Sequence, residues 1–152
     1  MSTHFRDYLD LLETLLDGYR ESIHGLSPEA LDWVPGKDMN SLAVLVAHVA
    51  GSGRFWLGDI ANNDPSNRNR SAEFQVRGLT ESELNRKLDD FFTYARETLT
   101  NIDPAKLSAL IPLPSGDPRE PVSGTWAILH ALDHTALHLG HAQLTRQLWD
   151  QR

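Results

Sequence analysis

Three of the chain's seven histidines, His134, His138 and His141, fall within the eight residues HTALHLGH. Imidazole nitrogens bind transition-metal ions, so their spacing is informative. On a helix, residues four apart sit about 40° apart around the axis and about 6 Å along it. The rings of His134 and His138 can therefore turn onto one ion. His130 and His134 meet the same condition. His130 and His138, however, are separated by about 12 Å of rise, too far for all three to share an ion held at about 2.1 Å per nitrogen. One pair is expected to bind. Thr135 follows His134, so the glutamate base of an HExxH metalloprotease is absent.

A pair needs a third ligand from another element, and the sequence offers helices to supply it. From His4 to His24 the apolar residues Phe5, Tyr8, Leu9, Leu12, Leu15, Leu16, Tyr19 and Ile23 recur at steps of three and four. Gly25 ends this first helix, and LSPEALDWVPGKDM turns the chain. A second helix is expected from about Ser41 to Asn62, and its half SLAVLVAHVA is apolar on nearly every side, which marks it as buried. DPSNRNRSAEFQVRG reads as a polar connection. TESE at Thr80 to Glu83 is a capping box opening a third helix with Leu84, Leu88, Phe91, Ala95 and Leu99 on one face. The prolines of IDPAKLSALIPLPSGDPREPV imply a long loop with one or two helical turns at Ala105 to Leu110. Ser123 or Thr125 caps the last helix, whose apolar contacts are expected from Trp126, Leu129, Leu132, Leu144 and Leu148. No strand alternation competes. Residues 1–152 thus read as one all-α domain, a four-helix bundle.

Depth in the bundle selects the third ligand. His48 lies about 12 Å from the start of the second helix, and His134 and His138 about 17 to 22 Å into the last, so the three can meet. His4 and His24 sit at helix ends, where His24 reads as a cap for the helix dipole. His141 is a candidate pocket residue, and His130 is expected to be structural. Three imidazoles with no fourth protein ligand leave positions open for water or substrate. Zn²⁺ or Ni²⁺ suits such a set. Gly51 and Ser52 share the face of His48, and with Gly53 they read in two ways: as close helix packing or a kink, or as small side chains that leave a hollow for substrate walled by Ser52.

Composition narrows the partners. A net charge of −7 with interspersed signs argues against nucleic acid and anionic membranes, both of which require a concentrated basic face. The opening MSTHFRDYLD carries no signal pattern and no run of 18 apolar residues occurs, so a cytoplasmic protein is expected. With no cysteine, the chain has neither a thiolate ligand nor a sulfur nucleophile of its own.

SLAVLVAHVAGSGRFW around His48 and HALDHTALHLGHAQLTRQLW at the C-terminus together resemble the DinB-like, or YfiT-like, superfamily of metal-dependent four-helix proteins. LDWVPGKDMNS, with Trp33, Pro35 and Asn40, looks like that family's lead into its second helix. The resemblance implies that His48, His134 and His138 are metal ligands and that Gly140 is the glycine that follows them. His141 stands where many members have glutamine, and Leu139 where many have arginine. It also implies an up-down-down-up bundle with long connections after helices two and three, and a homodimer. Asn63 to Leu79 could reach about 55 Å, more than the roughly 33 Å of a 22-residue helix. Relatives of this kind include thiol-dependent transferases, so a metal-dependent thiol S-transferase acting on a small molecule with a low-molecular-weight thiol is expected. A metal-dependent hydrolase and a non-catalytic metal- or ligand-binding bundle are the alternatives.

Overall fold

The computed structural model describes residues 3–114 and 121–152, apart from the side chain of His4. Four long helices make the molecule: α1 (Thr3–Ile23), α3 (Leu42–Arg54), α5 (Glu81–Asn101) and α7 (Gly124–Asp150). Short helices α2 (Pro28–Leu31), α4 (Arg70–Glu73) and α6 (Pro104–Ser108) lie in the connections. Leu12, Leu16, Tyr19 and Ile23 of α1 are buried, as the three-and-four spacing requires, and Leu11 lies on the outer face. Thr80 and Glu83 exchange both hydrogen bonds of a capping box at the head of α5. Its Leu84, Leu88, Phe91, Ala95 and Leu99 are all buried.

Named contacts set the helix directions. Tyr19 donates to the Thr135 carbonyl and Arg146 to those of Ser22 and His24, so α1 and α7 climb together. Arg20 meets Asp89 and His24 meets Glu81, which sets α5 against α1. His48 lies beside His134 and His138 while Trp56 lies beside Trp126 and His130, so α3 opposes α7.

Three features depart from the sequence reading. The helix expected from Ser41 to Asn62 is α-helical only to Arg54 and continues as a π-helix through Phe55–Asn62, closed by Asn63 in the left-handed region at φ 53°. The long loop is not strand-free, because Leu110–Ile111 (β1) pairs antiparallel with Val122–Ser123 (β2). Two-residue strands are too short to show alternation. In α7 two of the large residues expected to face the core lie outside, Leu129 at 57 % exposure and Leu144 at 47 %, whereas Leu132 packs against it. Ala127, Ile128, Ala131, Thr135, Leu139, Ala142 and Thr145 are buried instead. Small side chains let α7 approach both α1 and α3, and the histidines occupy the neighbouring stripe. Of the two caps considered for α7, Ser123 is the one used, accepting from the Trp126 amide.

Candidate metal centre

Ser41 caps α3 by accepting from the Val44 amide, and the apolar residues around His48 bury that helix on all sides. His48 is thereby presented, itself 4 % exposed, to the half-buried His134 and His138 on the opposing α7. Ring centroids stand 5.0 Å apart for His48 and His134, 4.9 Å for His48 and His138, and 4.5 Å for His134 and His138. One nitrogen from each lies within 4.8 Å of the others, a group that could hold a metal ion. On one ion, each of these nitrogens would stand at about 2.1 Å.

The protonation of these rings suits that role. Burial, reinforced by His138, His48, His130 and Arg68, pushes His134 down from 6.5 to about 3. Burial, then His48 and His141, takes His138 down to about 4. Both are neutral at pH 7, the form that binds metal.

Behind His48 stands a carboxylate that sequence reasoning missed. His48 Nδ1 lies 2.9 Å from Glu73 Oε2, and Arg68 donates to the same carboxylate from Nε at 2.6 Å and Nη2 at 2.8 Å. Burial works to raise the Glu73 pKa, but the hydrogen bonds and charges of Arg68 and His48 outweigh it and hold the carboxyl below its ordinary range. An ionised carboxylate only accepts, so in neutral His48 the proton sits on Nδ1 and Nε2 keeps a lone pair for a metal. Phe74, next in sequence, packs on the His48 ring at 4.8 Å.

Glu73 also explains Gly51. A Cβ at Gly51 would collide with the Glu73 carboxylate, which Arg68 and His48 hold in place, and one at Gly53 would collide with the Phe91 ring. Both glycines are thus positions of close packing, and Ser52 between them is buried at 2 % exposure. An open groove of about 600 Å³ lies behind Glu73, between α3 and α5, and no histidine lines it.

The remaining histidines separate cleanly. His141 is exposed, with Nδ1 3.3 Å from His138 Nδ1, outside the three-nitrogen group. His130 stacks on Trp126 at 4.7 Å and 15° and meets Trp56 edge-on at 4.6 Å. His24 pairs with Glu81, while the carbonyls at the end of α1 are capped by Arg146. The side chain of His4 lies outside the described residues.

A model of the mycothiol-S-transferase family matches residues 7–151. The chain belongs to that family. The mycothiol-S-transferase family is a member of the DinB-like metal-dependent superfamily that the histidine segments resemble. No curated protein matches the chain. A solved structure, the conserved protein of a locus from Enterococcus faecalis, is similar over 100 % of this chain and 99 % of its own. Its TM-score of 0.79 at 17 % identity establishes a shared fold. Within this mycothiol-S-transferase family chain, Arg68 and Glu73 left one weak signal in the sequence. Asn69 caps the single turn Arg70–Glu73 by accepting from the Ala72 amide, which places the glutamate at its end.

Proposed function

We propose that the chain is a metal-dependent thiol S-transferase in which His48, His134 and His138 hold one divalent ion, zinc or nickel. The sulfur donor in this reading is mycothiol or a related low-molecular-weight thiol. The observation that carries it is the meeting of three imidazoles from two opposed helices in a chain matched by a mycothiol-S-transferase model. When bound, such an ion acidifies a coordinated thiol so that its nucleophilic thiolate form exists at neutral pH.

The residues of the chain do the rest. Glu73, clamped by Arg68, orients His48 and keeps the proton on its Nδ1. Phe74 and the buried length of α3 exclude water from one side, leaving the half-buried His134 and His138 side for substrates. The chain has no cysteine, so the reacting sulfur comes from the substrate. The reading carries with it a cytoplasmic location, where small thiols stay reduced, and a homodimer remains an expectation to be checked by sedimentation. Hydrolysis finds less support, because it needs a carboxylate or other base free to activate water. Among the described residues, the carboxylate hydrogen-bonded to this group is Glu73, which meets His48 and is already engaged with Arg68.

Thioether formation settles the reaction class. Protein loaded with zinc or nickel is incubated with an alkylating electrophile and a panel of thiols that includes mycothiol, and products are read by mass spectrometry. Metal-dependent thioether formation is the expected result. Metal-dependent hydrolysis of the electrophile would favour the hydrolase reading, and no acceleration at all would leave a non-catalytic bundle.

A further inference from the structure

We propose that the hollow beside His141 receives the polar carrier of the thiol, the part of the molecule next to its sulfur; this rests on the thiol-transferase reading. The hollow, about 210 Å³, lies between residues 38–45 and the C-terminal half of α7. Its position follows from the two ligand-bearing helices. Leu45 lines it from one turn before His48, and His141 from one turn after His138. Because α3 and α7 are opposed, both residues fall on the same side of the three imidazoles, away from Trp56 and His130. One turn is about 5.4 Å, roughly the reach from a thiol sulfur to polar groups a few bonds away.

The size and lining fit a fragment of a polar molecule. Whole small-molecule sites measure about 300–1,000 Å³, so this hollow accommodates a part. Met39 and Leu144, 39 % and 47 % exposed, give it apolar walls above the buried Leu45 and Thr145. Polar groups converge on it from the rim. Asp38 sits there in the left-handed region at φ 64°, and no hydrogen bond to another described residue engages the side chains of Asp38 or Asn40. A carboxylate only accepts, so Asp38 selects a hydroxyl or ammonium group on the carrier and repels a carboxylate.

Cobalt-loaded protein tests this, because a thiolate bound to Co²⁺ gives a near-ultraviolet charge-transfer band. Cysteamine, ethanethiol and 3-mercaptopropionate are titrated, and cysteamine is expected to bind most tightly and 3-mercaptopropionate least. Asp38→Asn, which tolerates the positive φ, should weaken cysteamine about tenfold and leave ethanethiol unchanged. Leu144→Trp, made at an exposed position, fills the hollow and should weaken cysteamine by a similar factor. Cobalt content and melting temperature should stay at wild-type values in both. Wild-type cysteamine affinity in both variants would overturn the subsite while the thiol reading stands. A wild-type protein that binds cobalt yet gives no band with any of the three thiols would overturn the thiol reading, and the subsite with it.

Discussion

Among the described residues, none on α3 hydrogen-bonds to the His48 ring, whose Nδ1 is held by Glu73 from a one-turn helix 25 residues away. Glu73→Gln isolates that contribution. The amide oxygen can still accept from Nδ1, but the charge that binds Arg68 and stabilises the Nδ1 proton is gone. Metal affinity is expected to fall about 10- to 100-fold in chelator competition, with the cooperative melt retained. Wild-type affinity would show that His48 needs no carboxylate. At this scale the pairing of His134 with His138 was legible because four-residue spacing on a helix is a geometric statement that survives folding. Glu73 was not, since a contact between distant segments has no period. Gly51 stands where the Glu73 carboxylate leaves no room for a Cβ, so the close-packing reading holds there, with a partner that comes from elsewhere in the chain.

Elements with strong local chemistry were read well. The capping box at Thr80 and Glu83 and the buried face of α5 stand where the pattern put them, because both depend on residues within one or two turns. Failure came where tertiary packing overrides periodicity. Leu129, Leu137 and Leu144 of α7 mark its outer face, since the inner faces are taken largely by small residues with Leu139 against α1 and by histidines against α3. The change from α to π after Arg54 follows no residue signal of its own, and it carries Trp56 to the rings of Trp126 and His130. Two-residue strands fall below the length at which alternation exists. The long connections, read as polar linkers, supply the residues that finish the site: Arg68 and Glu73 after α3, Asp38 and Asn40 before it.

For the molecule as a whole, a group of imidazoles kept neutral links stability to pH. Unfolded histidine titrates near 6.5, whereas His134 and His138 are held down to about 3 and about 4. Between those limits the unfolded chain binds more protons than the folded one, so stability falls as pH falls. Metal-free protein should therefore show a melting temperature that declines from about pH 6.5 towards pH 4, with little contribution from these groups above 6.5. The depressed Glu73 carboxyl adds to the same trend at lower pH. A melting temperature that rises on acidification from 6.5 to 5 would contradict the neutral-imidazole assignment. Bound metal raises stability by mass action and is released by the same protons, so the loaded protein should show a steeper acid limb. The most direct measurement is elemental analysis of protein purified without chelator and reconstituted with Zn²⁺ or Ni²⁺, wild type beside His138→Ala and His24→Ala. About one divalent ion per chain in wild type and His24→Ala, with a large loss in His138→Ala, is the expected result. No bound metal in wild type, or equal losses in the two variants, would contradict a centre built from His48, His134 and His138.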